Sequence, residues 1–161
     1  MAALDLIFPV LHGLLGHAEG ALDPAPGRSL VQVGQEVAWD DCCDGQVWTR
    51  LISITPMEGG GRAPNAICGV TAWQATIGVG AIRCVSVVDD RGVAPLASMI
   101  TGEAEQMALD LQALQQVILC TLGTLPNVHR VTVGNWTPLG PLGGCAGGEW
   151  TVDVILPACG C

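Results

Sequence analysis

The chain is 161 residues long, half of them apolar and 13% charged, a size and composition that specify one folded domain rather than a disordered tail. The net charge is −9, and all six basic side chains are arginines. Without a single lysine, Schiff-base chemistry and a Walker-type phosphate lysine are excluded, and an acidic chain with scattered arginines is poorly suited to gripping nucleic acid.

Apolar residues at Leu4, Phe8, Leu11, Leu14, Leu15 and Leu22 recur at roughly helical spacing and predict a helix over residues 2–22. Pro9 must lie in its first turn or kink it. Asp23-Pro24-Ala25-Pro26-Gly27 reads as a loop, residues 35–41 as a short strand, and Asp41-Cys42-Cys43-Asp44-Gly45 as a turn. Residues 46–55 are rich in β-branched side chains and predict a strand, although their apolar side is only partly segregated. Residues 57–64 form a Gly-rich break. Over 71–88, Ala72, Gln74, Thr76 and Gly78 alternate with Trp73, Ala75, Ile77 and Val79, and Gly78-Val79-Gly80 suggests a bulge or a close backbone approach.

After a turn at residues 89–92, Thr101 can cap a helix that Gly123 ends. Its stripe is Ala104, Met107, Ala108, Leu111, Leu114 and Ile118. Residues 130–136 and 149–156 predict two strands, joined by a Pro/Gly-rich hairpin loop over 137–148. The order helix, three strands, helix, two strands predicts an α+β fold, a mainly antiparallel sheet of about five strands flanked by two helices that cover one face. One domain spans residues 1–161: a helix at 2–22, sheet and helix at 35–156, and a tail at 157–161.

No catalytic motif is present: no G-x-S-x-G, no H-E-x-x-H, and no complete phosphate-loop or dinucleotide fingerprint. His12 and His17 are five apart and do not stack on one helical face, and His129 stands alone. Asp40-Asp41 and Asp89-Asp90 flank turns, where Asp supports local backbone hydrogen bonds. Neither catalytic nor cofactor-binding residues are therefore expected.

The eight cysteines are Cys42, Cys43, Cys68, Cys84, Cys120, Cys145, Cys159 and Cys161. No positive charge precedes the apolar segment Leu6–Gly16, so export is not signalled, and no run is long and apolar enough to span a bilayer. The expectation is a soluble product with mostly reduced thiols. Cys84 and Cys120 lie in apolar runs and read as small hydrophobes. Zinc is the rival reading of so many thiols, but C-x-x-C is missing and no metal ligand set is assigned. Trp39, Trp48, Trp73, Trp136 and Trp150 all fall on predicted strands or their ends and read first as the bulky core of a small sheet. Trp136 and Trp150 bracket the 137–148 loop and are candidates for a subunit interface.

The segment Ala38-Trp39-Asp40-Asp41-Cys42-Cys43-Asp44-Gly45-Gln46-Val47-Trp48, the Arg83-Cys84 strand, the Ala104–Cys120 helix and the closing 135–152 segment, from Asn135-Trp136-Thr137-Pro138 to Glu149-Trp150-Thr151-Val152, carry a resemblance. Over about residues 37–156 the chain resembles tail terminator and head-to-tail connector proteins of long-tailed, siphovirus-type phages of actinobacteria. The resemblance implies a virion structural protein, not an enzyme, whose homo-hexameric ring caps the tail tube and joins it to the head connector. The major tail tube protein would lie on one side and the connector or stopper on the other, with DNA passing through the lumen without sequence-specific binding. It also implies residence in the virion neck, and in host cytoplasm during assembly.

Two further readings stand beside it: the neighbouring head-to-tail stopper, and a small cysteine-based zinc-binding module. Interface candidates are Trp136, Pro138, Leu139, Pro141, Leu142 and Trp150, because a loop with two prolines and five glycines cannot pack itself and its leucines gain nothing in water. A bridge from Cys42 or Cys43 to Cys145 is expected if the particle meets oxidising conditions, since all three sit in Gly-flanked loops.

Overall fold

A computed structural model describes residues 3–39, 42–58 and 70–158. Asp40-Asp41, the glycines of the predicted 57–64 break, Cys68, Cys159 and Cys161 lie outside them. The elements are α1 (Ala3–Ala21), β1 (Arg28–Val33), β2 (Gln46–Glu58), β3 (Val70–Cys84), α2 (Ala97–Thr121) with a 3-10 turn at Leu122–Thr124, β4 (Arg130–Leu142) and β5 (Cys145–Pro157). This is an α+β fold whose sheet runs β1-β2-β3-β5-β4. The sheet is mixed: β1 and β2 are parallel, and the other three pairings are antiparallel.

The parallel pair corrects the first predicted strand. Residues 28–33 are the strand, and residues 34–39 are irregular. Parallel neighbours cannot be joined by a tight hairpin, so the chain leaving Val33 must return across the sheet before starting again at Gln46. Residues 34–39 and 42–45 belong to that crossover, and Trp39 therefore lies in it rather than on a strand. The expected turn closes it, with the Gly45 N–H donating to the Cys42 carbonyl at 2.8 Å.

α1 passes through Pro9 without ending. Pro9 is on the exposed side, where the carbonyl deprived of its helical donor can be solvated. The buried positions are Leu6, Ile7, Val10, Leu11, Leu14, Leu15, Ala18 and Leu22, whereas Phe8, placed in the stripe by spacing, is exposed. α1 is pinned to the sheet where the buried Thr49 hydroxyl donates to the Leu11 carbonyl at 2.9 Å.

α2 starts four residues before the expected cap. Leu96 precedes it in extended conformation and offers no capping bond, and the Thr101 hydroxyl donates one turn back to Ala97 at 2.9 Å. A threonine bonded in that way sits inside a helix rather than at its start. The buried face holds Asp110, Leu114, Val117 and Ile118, while Ala104 and Ala108 are exposed.

Both helices cover the same face of the sheet. Val47, Leu51, Ala75, Ile77, Val79, Val152, Val154 and Leu156 meet α1 and α2 in one core. Arg83 closes its edge: its guanidinium donates to both Asp110 carboxylate oxygens, at 2.5 and 2.9 Å, and to the Pro24 carbonyl.

The predicted loop at 137–148 is a correction of another kind, because most of it belongs to β4 and β5. Only Gly143-Gly144 turns, both at positive φ (59° and 79°), the conformation that a two-residue hairpin with the sheet's natural twist requires. Pro138 and Pro141 are tolerated because β4 is an edge strand, and the ladder is interrupted between Leu139 and Leu142.

Candidate functional site

The side of the sheet away from the helices carries the chain's unusual chemistry. It follows from strand alternation: Trp48 and Arg50 of β2 and Glu149 of β5 point there because their neighbours Val47, Thr49, Leu51 and Trp150 face the helices. Between them in β3 stand Gly78 and Gly80. A Cβ on Gly78 would lie 2.5 Å from the Glu149 carboxylate, and one on Gly80 would strike the Trp48 ring. The close approach expected at Gly78-Val79-Gly80 is this one, and the β2 bulge lies instead between Leu51 and Ser53.

Over these glycines the Arg50 guanidinium clasps Glu149 in a two-pronged pair, Nε to Oε2 at 2.7 Å and Nη2 to Oε1 at 2.6 Å. The Trp48 indole N–H donates to the same Oε2 at 2.6 Å. All three residues are buried. Arg50 Nη1 also donates to the Gly34 carbonyl at 2.7 Å, which ties the start of the crossover to β2. Charged partners aligned in this way satisfy one another's desolvated atoms.

The crossover covers this face. Cys42, Trp48, Ile82 and Cys145 form a small second core, against which Leu30, Val37, Trp39 and Leu139 pack. Between the crossover and the tip of β4 lies a cleft of about 370 Å³ lined by Gln35, Glu36, Val37, Trp39, Arg50 and Leu139, with Leu142 at its edge. At the corner the structure joins Cys42 to Cys145 and Cys43 to Cys84, with Cα separations of 5.9 and 4.4 Å. The expected bridge to Cys145 is therefore made by Cys42. The Cys43–Cys84 bridge is a second one, with a pairing that the sequence did not suggest. Cys84, read as a small hydrophobe, is exposed and bonded because it ends its strand at this corner, and Cys120 is exposed and free.

The interface candidates divide. Trp136 and Trp150 pack on each other with ring centroids 5.9 Å apart, on the helix side. The Trp150 indole donates to the Leu111 carbonyl at 3.1 Å. Leu139 is half-buried in the second core, whereas Pro138, Pro141 and Leu142 are exposed. His12, His17 and His129 are exposed and not brought together, and Asp89 accepts from the Arg91 and Val93 amides as a turn residue.

A different surface emerges along the approach to α2. Ile100, Met107, Leu111, Leu114 and Ile118 share one side of the helix, but burial rises along it, from 51% exposed at Ile100 to fully buried at Leu114 and Ile118. The first turns are therefore the exposed end of the helix. Val87, Val88, Val93, Leu96 and Met99, in the segment that leads into α2 and in its first turn, are exposed as well. Sequence spacing placed Ile118 and Leu114 in the stripe correctly but gave no sign that its other end would be uncovered. Among the described residues, no helix is long and apolar enough to cross a membrane. No protein-family model matches the chain, and no curated protein is significantly similar to it.

Proposed function

We propose that this chain is a structural subunit that self-assembles into a homo-hexameric ring, the ring capping a phage tail tube and joining it to the head connector. The observation that carries the assembly is the exposure of six large apolar side chains within residues 87–100: Val87, Val88, Val93, Leu96, Met99 and Ile100. Apolar surface gathered in one region marks an interaction site in a soluble protein. The open edges at β1 and β4 add strand surfaces that a neighbouring subunit can pair with or cover. The tail role itself rests on the sequence resemblance over residues 37–156. A net charge of −9 suits a lumen through which DNA must slide without sticking, since phosphate is repelled.

Native mass spectrometry across a concentration series, with electron microscopy of the particles formed alone and with tail-tube protein, tests the proposal. Six-fold rings are expected, and Leu96→Asp should shift them toward monomers while leaving the circular dichroism spectrum unchanged. A chain that stays monomeric in every mixture, or that forms three-fold or twelve-fold rings, overturns it.

A further inference from the structure

We propose that, when its two disulfides are reduced, this chain binds one zinc ion through Cys42, Cys43, Cys84 and Cys145. The sulfurs of Cys42, Cys43 and Cys84 lie within 4.8 Å of one another. Cys145 Sγ is bonded to Cys42 in the oxidised chain, and Cys145 stands directly across the ladder from Cys84. Three sulfurs thus converge from the turn that ends the crossover and from the end of β3, and Cys145, at the start of β5, is placed to supply the fourth once its bond to Cys42 is released. Tetrahedral Zn²⁺ with Zn–S bonds of about 2.3 Å requires sulfurs about 3.8 Å apart. Cys42, Cys43 and Cys84 already lie within 4.8 Å of one another, and reduction frees the Cys145 side chain to turn toward them.

Access and support are both present. Cys42 and Cys145 are buried, and Cys43 and Cys84 are exposed, so an ion can enter from solvent against a fixed inner pair. The backbone around the site is held independently of the sulfurs, by the Gly45 N–H to Cys42 carbonyl bond, by the Val85 N–H to Gly144 carbonyl bond at 2.8 Å and by the β3–β5 ladder. A thiolate set selects a thiophilic ion such as zinc over magnesium or calcium. The chemistry balances. Each disulfide takes two electrons from the reductant. A phosphine becomes its oxide, with water supplying the oxygen and the two protons, whereas a dithiol gives up its own two protons and closes to a disulfide. The four thiols then release four protons as one Zn²⁺ binds. Disulfides and metal are thus alternative closures of the same corner.

The test is anaerobic titration of the full-length chain, reduced with a phosphine and freed of metal, with Co²⁺ and then Zn²⁺. One Co²⁺ per chain is expected, with the intense visible bands of a tetrahedral thiolate site and full displacement by Zn²⁺. Cys43→Ser and Cys84→Ser, both at exposed positions, should each weaken zinc binding by more than about 100-fold, beyond what loss of an outer-shell partner costs. Cys84→His should restore a tetrahedral Co²⁺ spectrum, and Cys120→Ser should change nothing. An octahedral spectrum, uptake well below one ion per chain, or binding that survives Cys84→Ser but is lost when Cys68, Cys159 and Cys161 are all changed to serine overturns the assignment. Metal stoichiometry is read independently of subunit number, so this outcome and that of ring assembly are distinguishable.

Discussion

Glu149→Ala probes the face of the sheet opposite the helices. The substitution removes the acceptor of three short hydrogen bonds, two from Arg50 and one from Trp48. Arg50 keeps only the Gly34 carbonyl, and its guanidinium remains buried without a counter-charge. Breaking a buried pair from one side costs about 3–5 kcal/mol, and the orphaned indole N–H acts in the same direction without adding in full. For a domain of this size each kcal/mol lowers Tm by about 2–4 °C, so a fall of about 10 °C is expected. Urea unfolding of the oxidised protein measures it, completed as a cycle with Arg50→Ala and the double variant. The double variant should be less destabilised than the two single costs combined, because no buried charge is left alone. A single-variant loss below about 1 kcal/mol, or costs additive within about 0.5 kcal/mol, would refute the network as described.

Gly80→Ala should destabilise by about 1–3 kcal/mol in a thermal melt, because the new Cβ meets both the Trp48 ring and, at 2.7 Å, the Gly148 carbonyl. Arg83→Met should cost about 3 kcal/mol by stranding the buried Asp110 carboxylate, measured by urea unfolding, and a loss below about 1 kcal/mol would show that this pair contributes little to holding α2. Cys145→Ser opens a bridge that closes 103 residues. It should lower stability by about 4–5 kcal/mol in the chain-entropy account, and added reductant should then have a smaller effect on the variant than on the wild type.

The helix-side core was largely legible because it rests on periodicity. The alternation over 72–79 places Trp73, Ala75, Ile77 and Val79 on one face, and the register confirms it: Ala75 lies opposite Val154 and Ile77 opposite Val152. The blurred pattern in 46–55 has a physical cause. A bulge between Leu51 and Ser53 re-phases β2, so Ile54 rejoins the side of Val47 and Leu51, and Ser53 turns outward. β1 was missed because Arg28-Ser29-Leu30-Val31-Gln32-Val33 shows no alternation, and as a short edge strand it has no need of one. The 137–148 segment was misread because proline and glycine ordinarily mark loops. An edge strand and a glycine turn accommodate both.

What stayed illegible is the opposite face, and the reason lies in how it is covered. A helix presents a regular apolar stripe and excludes water by packing. A crossover loop has no such stripe, and on this one Val37 and Trp39 are the apolar side chains that pack against the second core from residues 34–39. It is held instead by point attachments: Gln32 and Gln46 amides to the Ala38 carbonyl, Arg50 to Gly34, and Cys42 to Cys145. The disulfide joins positions 103 residues apart, and the Arg50–Glu149 pair on the same face joins positions 99 apart. Spacing motifs detect ligands that are neighbours in sequence, so a cysteine corner assembled from one turn and two strand ends produces no motif. The same absence of regular packing explains why charge and sulfur gather there: where apolar surface is too scarce to fix a loop, directional bonds must fix it.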